Sequence, residues 1–358
     1  MPVLKLGYLL TFKISIFIFY LISLLLLLIF QTKIPKNRKV LQPIDLIIVY
    51  LSTFSLIINS QGLGYTDIYF FPFLIVTLLF LSREKWYLGG LFFGLSFLIK
   101  WQPIIIAPLI LGYLIKLDSK KTIVRVLKLV MGAITAILTL YPLNKNIFQS
   151  LSLSFFSGAT SDPILSNALN LQWINTFLYH LLFPKIFSPL IEARIEFIDL
   201  LSGNIPTFIY FLPKLAFAAV GILIFVRYLT FRESKKFMFQ TFLNTSLLFY
   251  LSYFMISSVV HENHLFVALI LSLIIFIVTP SARNRIILLS VDFMNFINMF
   301  VFYGITGKPI ISRVLLGTDI TLIFSLAFFT VYLILLVSYF SGSFLATTIR
   351  EEPIGKLM

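Results

Sequence analysis

The chain has 358 residues, 59% of them hydrophobic and 12% charged, whereas soluble domains run near half apolar and about a quarter charged, so an ordinary water-soluble globule is excluded. Its 28 basic and 14 acidic residues give a formal charge of +14, but the basic residues gather between apolar runs, which is the pattern of membrane topology rather than of nucleic-acid binding. The absence of cysteine excludes a disulfide framework, a thiolate metal site and a catalytic thiol.

In chain order, apolar runs of about twenty residues, the length that crosses a bilayer as a helix, fall near 14–31, 43–60 and 67–82. Two shorter runs follow between 86 and 116 and pair as a hairpin whose tip is Lys100-Trp101-Gln102-Pro103. A further run covers 126–142, and after a long mixed stretch at 143–205 five more appear near 206–226, 237–258, 263–280, 286–303 and 317–340. Several are apolar nearly all round, for example Ile16 to Phe30, Leu271 to Val278 and Leu322 to Val337, and lack the polar stripe of an amphipathic surface helix. No series of alternating ten-residue strands indicates an outer-membrane barrel. The expected fold is therefore all-α: a single polytopic membrane domain of about ten or eleven transmembrane helices.

Alternate loops carry the basic clusters: Lys33 to Lys39, Arg83 and Lys85, Lys116 to Lys128, Arg227 to Lys236, Arg283 and Arg285, then Arg350 and Lys356. By the positive-inside rule these loops face the cytoplasm. The stretches 59–67, 143–205, 259–264 and 305–316 then lie on the extracytoplasmic face and the C-terminus inside, although Lys145, Lys308 and Arg313 fall outside against the rule. The same parity places Met1 outside with no cleavable signal after it, which leads to the expectation that a further helix and outer loop precede the sequence. Within 143–205, apolar pairs such as Leu190-Ile191 and Phe197-Ile198 alternate with charges, so a helix lying in the headgroup plane is expected there.

Charged groups are costly at membrane depth, so the few at span ends are informative. In Gln61-Gly62-Leu63-Gly64-Tyr65-Thr66-Asp67 two glycines permit a tight turn and Asp67 opens the next helix, as a cap or as a functional carboxylate. Lys100 at the hairpin tip suits a lipid phosphate or, with Trp101, an interfacial anchor. Asp162 lies in a polar stretch before Pro163 and reads first as a solvated loop. His261-Glu262-Asn263-His264 holds two of the three histidines; three residues apart, their imidazoles share one face if the segment opens a helix, and can grip a phosphate, move a proton or form a plain polar turn. A metal there lacks a third ligand of recognisable spacing.

The order of the turn Gly64-Tyr65-Thr66-Asp67, the run Gly89-Gly90-Leu91-Phe92-Phe93-Gly94 to Lys100-Trp101-Gln102-Pro103, and His261-Glu262-Asn263-His264-Leu265-Phe266 resembles that of the multispanning GT-C glycosyltransferases, in particular the mannosyltransferase-like members, over about 5–280. That resemblance implies a hexosyl, first of all mannosyl, transfer from a polyprenyl- or dolichyl-phosphate carrier in the cell membrane to a lipid-linked glycan, lipid or protein acceptor on the extracytoplasmic face. It assigns Lys100, Gln102, His261 and His264 to the carrier phosphate, Asp67 to the acceptor side or to ordering the site, and Glu262 to orienting the histidines. The lipid-linked sugar is the donor, with no cofactor and no divalent metal expected. The family's acidic base in the first outer loop has no counterpart in this sequence. Two other readings stand beside it. A secondary transporter is suggested by Asp292, Asn295 and Asn298 within a late span, and a non-catalytic subunit that binds carrier lipid is suggested by the missing base.

Overall fold

The computed structural model describes residues 7–33, 41–142, 145–147, 149–153, 167–195, 207–258, 260–304, 313–342 and 344. They are overwhelmingly helical and fall into two compact units, each assembled from three stretches of chain. The first unit takes 1–104, 123–159 and 272–310, and the second 105–122, 160–271 and 311–358.

In the first unit, α1 (Tyr8–Lys33) buries Ile16, Tyr20, Ser23, Leu27 and Phe30, a stripe with alternating steps of four and three residues, as one helix face requires. Its other face exposes Phe17, Ile18, Leu21, Ile22 and Leu25. A helix apolar on both its packed and its exposed face is matched to lipid rather than to water. The predicted run 43–60 is not one straight span. α2 (Pro43–Leu51), started by Pro43 at its first turn, stops at Ser52, and α3 (Phe54–Ile57) continues as a π-helical turn at Ile58–Gly62, bent by 61°. Locally, Ser52 Oγ and Thr53 Oγ1 both turn back onto the Val49 carbonyl, at 3.1 and 2.8 Å, the competition by which hydroxyl side chains loosen a helix.

α4 (Asp67–Ser82) and α5 (Trp86–Ile99) pack against each other across a three-residue turn in which Glu84 takes φ 55°. α5 then meets α7 (Thr122–Leu140) at near-backbone contact: a Cβ on Gly90 would lie 1.9 Å from the Leu129 carbonyl oxygen, and one on Gly132 2.0 Å from that of Tyr87. Gly90 and Gly94 on one helix and Gly132 and Ala136 on the other form the small-residue seam by which helices associate where apolar burial offers little drive. Arg125 on α7 sits over the Trp86 ring and 3.5 Å from Glu84. α13 (Ala282–Tyr303) completes this unit beside α3.

The second unit is built around α11 (Met238–Ile256), which is enclosed without interruption from Gln240 to Ser252. α6 (Ala107–Leu117), α10 (Thr207–Thr230) and α14 (Ile320–Phe340) pack on it. The tripeptide Asn244-Thr245-Ser246 is thereby buried. Lys116 at the end of α6 closes the C-terminus of α10: its Nζ donates to the carbonyls of Tyr228 and Phe231 at 2.9 and 2.7 Å and pairs with Glu233 at 2.6 Å. Enclosure pushes the Glu233 carboxyl above the ordinary range, with Lys116 opposing part of that rise.

Of the long stretch 143–205, the structure describes α8 (Leu171–Leu182) and a short α9 (Pro184–Phe187). Asn170 caps α8 through bonds from the Gln172 and Trp173 amides at 3.0 and 3.2 Å. Trp173 Nε1 reaches Thr321 Oγ1 at 2.6 Å, and Asn170 and Gln172 donate to the carbonyls of Phe254 and Ile256, so α8 is tied to the ends of α11 and α14. The helix expected around 190–198 is absent over its described part. Ile191–Arg194 instead forms a tight turn with positive φ at Glu192 and Ala193, pinned by the Ile195 amide donating to Asp319 at 2.9 Å. A two-stranded hairpin, β1 (Val314–Leu315) with β2 (Thr318–Asp319), precedes α14. The remaining helix, α12 (Phe266–Val278), begins in the second unit and ends in the first.

Among the described residues, five helices are long and apolar enough to cross a membrane (α1, α7, α10, α13 and α14), and the bent α2–α3 pair counts as a sixth. The larger number expected from sequence includes apolar helices of 10–17 residues, α4, α5, α6 and α12, which fall short of the roughly twenty that span a bilayer upright.

Candidate functional site

The first unit brings Asp67 and Lys100 together. Asp67 is the first residue of α4 and Lys100 the residue following α5. Because the two helices are neighbours of nearly equal length joined by a short turn, these positions come level although 33 residues separate them in sequence. A carboxylate at a helix N-terminus and an ammonium at a helix C-terminus are each favoured by the local dipole. Lys100 Nζ lies 2.6 Å from Asp67 Oδ1; the carboxylate is fully buried and the lysine side chain 23% exposed. Asn59 Nδ2 donates to Asp67 Oδ2 at 3.2 Å, and the Tyr65 ring lies 5.8 Å from Lys100 Nζ.

The turn that delivers Asp67 is held by a residue that sequence reading passed over. Lys13 Nζ, from the second turn of α1, donates to the carbonyls of Gln61 and Gly62 at 2.6 and 3.1 Å. Gly64 takes φ +73°, where a side chain would be strained and its Cβ would come within 3.3 Å of that ammonium. The signal was a lone lysine early in an otherwise apolar run. Gln102 opens a 3₁₀ turn (Gln102–Ile106) just beyond Lys100 and is buried. Three enclosed amide atoms of this region have no hydrogen-bond partner among the described residues: Asn59 Oδ1, Gln61 Nε2 and Gln102 Oε1. A carboxylate, an ammonium and amide groups of both polarities can accept from and donate to hydroxyl or phosphate oxygens.

His261, Glu262 and His264 belong to the second unit. His261 is extended, at φ −93° and ψ 162°, and leads into a 3₁₀ turn at Glu262–Leu265 that opens α12. Three-residue spacing eclipses side chains in such a turn; the two imidazoles accordingly stand edge to face, with centroids 5.3 Å apart. The Tyr253 hydroxyl lies 3.3 Å from His264 Nδ1, which also accepts from the His261 amide at 3.3 Å. Glu262 and Asn263 are buried and His261 is exposed. The third histidine, His180, has its Nδ1 2.8 Å from the Ser188 carbonyl at the end of α8. Asp162 lies outside the described residues.

Asp292, near the middle of α13, faces the bend in the α2–α3 pair. Its carboxylate accepts from the Phe54 amide at 3.2 Å and from the Ser55 amide and hydroxyl at 3.0 and 2.5 Å. These are the free donors at the start of α3, so the carboxylate caps that helix from a distant part of the chain. Among the described residues no group of three His, Asp or Glu side chains stands ready for a metal ion.

Comparison of the chain with protein-family models, with curated proteins and with solved structures returns no match.

Proposed function

We propose that the protein is a multispanning membrane glycosyltransferase that moves a hexose, mannose first, from a polyprenyl- or dolichyl-phosphate carrier to a lipid-linked glycan, lipid or protein on the extracytoplasmic face. The support is the ordered set of motifs that resembles the GT-C mannosyltransferases, with the shorter apolar helices counted as partial crossings or as crossings of a locally thinned bilayer to reach ten or eleven. The observation that carries the reading furthest is the Asp67–Lys100 pair: the two motif residues chosen from sequence meet at 2.6 Å.

In this reading Lys100 and Gln102 receive the carrier phosphate, while Asp67 faces the acceptor hydroxyl. His261 and His264 are donors to phosphate oxygens, and Glu262 orients them. The polyprenyl phosphate leaves as the bond between its oxygen and the sugar's anomeric carbon breaks, and its charge needs neutralisation, which an ammonium and imidazoles supply, while a carboxylate held close to the acceptor hydroxyl can take its proton. The test uses the full chain in lipid nanodiscs with polyprenyl-phosphate mannose and polyprenyl-phosphate glucose, scored for release of the carrier phosphate and for a glycosylated lipid. Turnover lost in Lys100→Met supports the proposal. Saturable binding of carrier without turnover transfers the assignment to a lipid-binding subunit.

The bent α2–α3 pair capped by Asp292 favours a second reading, a secondary transporter, because interrupted spans commonly carry substrate or ion sites. Substrate flux across sealed vesicles without consumption of lipid-linked sugar identifies it.

A further inference from the structure

The capping of α3 by Asp292 leaves a second buried polar residue on the same face of α13, Asn295, without a role. Asp292, Asn295 and Met299 lie at positions i, i+3 and i+7, one face of the helix, and the flanking members touch α3 and its π-helical continuation: Asp292 at Ser55, and Met299 Sδ at 3.6 Å from Asn59 Nδ2. Asn295 therefore projects from the same face, between those two contacts. It is wholly enclosed, and neither its Oδ1 nor its Nδ2 has a hydrogen-bond partner among the described residues. Asn59, also wholly enclosed, leaves its Oδ1 without one.

Such an arrangement is expensive. A buried amide without partners costs free energy at each orphaned atom, and α13 is one of the helices long and apolar enough to span a bilayer, where no solvent relieves the debt. The carboxylate of Asp292 adds a negative charge that, among the described residues, is paired with no lysine or arginine; its donors are two backbone amides and one hydroxyl. Uncharged donors leave that charge in place.

We infer that the side-chain oxygens of Asp292, Asn295, Asn59 and Ser55, gathered where the α2–α3 pair is broken, form a binding site for a small alkali cation of the sodium class. Carboxylate, amide and hydroxyl oxygens are the ligands hard monovalent cations take, and a broken helix beside an intact one is where membrane proteins place them. The cation neutralises Asp292 and occupies the orphaned amide oxygens. Asn59 also holds Asp67 through its Nδ2, so occupancy steadies the Asp67–Lys100 pair as well. The site does not depend on glycosyl transfer and stands equally under the transporter reading.

The experiment follows thermal unfolding of the full chain in detergent by intrinsic tryptophan fluorescence, at constant ionic strength, in sodium, potassium or choline chloride. Binding to the folded state raises the midpoint with concentration by linkage, so a saturable rise of about 4 °C in sodium over choline is expected. Equilibrium uptake of radioactive sodium reports the same site directly. Asn295→Leu keeps the branched shape and removes the one ligand oxygen of this residue, and it abolishes the sodium-specific rise and the uptake while the protein stays folded in choline. Asp292→Asn does the same if the cap survives; if that variant fails to fold, Asn295→Leu decides alone. Identical midpoints in all three salts with no uptake, or a sodium effect that persists in Asn295→Leu, overturns the inference and leaves ordered water as the occupant.

Discussion

Asp67 with Lys100 in the first unit, and His261 with His264 in the second, hold their polar groups in opposite ways. The carboxylate of Asp67 is sealed from solvent and its charge is answered at contact distance, whereas His261 stands exposed, with its ring edge to face with that of His264. A sealed ion pair is part of the fold as well as of any chemistry, because removing one partner strands the other in a poorly solvated place. An exposed imidazole adds little to stability and can be spent on ligand. Substitutions at the two places should accordingly separate stability from activity.

The largest effect is expected from Lys100→Ala, which leaves Asp67 buried and unpaired. It should destabilise the protein by about 3 kcal/mol, read as a lowered unfolding midpoint, and lower transfer by about 10–100-fold. Asp67→Leu combined with Lys100→Met removes both charges; its midpoint should return to within about 1 kcal/mol of the parent while transfer stays lost. If the double substitution is as unstable as the single one, the pair is not what holds α4 against α5.

Glu233 and Lys116 form a second enclosed pair, within the unit that carries the histidines, and sharpen the comparison through pH. The folded Glu233 carboxyl sits above its ordinary value of 4.5 because burial outweighs the lysine. A raised acid favours folding below the ordinary value, and that contribution is lost as pH rises through the folded one. The parent should therefore gain stability on acidification toward pH 4.5 relative to Glu233→Gln, whose midpoint lacks this component. A difference between the two that is constant with pH would assign Glu233 to packing alone. The smallest effect is expected from His261→Ala: less than about 0.5 kcal/mol in stability, with carrier turnover reduced. Unchanged turnover would detach the histidines from the proposed chemistry.

Much of the helical layout was legible because its signals are local. The run 67–82 became α4 with the same bounds, since the turn residues before Asp67 and the charged Arg83-Glu84-Lys85 punctuate it. The break within 43–60 was not legible: neither proline nor glycine marks it, and the donors at the start of α3 are satisfied by Asp292, more than two hundred residues away. The tight turn at Ile191–Arg194 depends likewise on Asp319, so an alternation of apolar pairs and charges there suggested a helix that tertiary contacts do not permit. For the site, sequence order found Asp67 and Lys100 but not Lys13, whose role as a clamp on the Gln61 and Gly62 carbonyls exists only once α1 lies beside the turn.

The glycine seam between α5 and α7 bears on how the chain is made. α5 has 14 residues, too few to rest alone across a bilayer upright, and its Gly90 face fits only a partner that is synthesised later. At ~5–20 residues per second, the interval between the end of α5 and the end of α7 is roughly 2 to 8 s, during which α5 has α4 to pack on but its Gly90 face waits for its partner. A bulky residue at Gly90 or Gly132 is therefore expected to show itself as a failure of this late pairing, with both helices made and their seam unable to close.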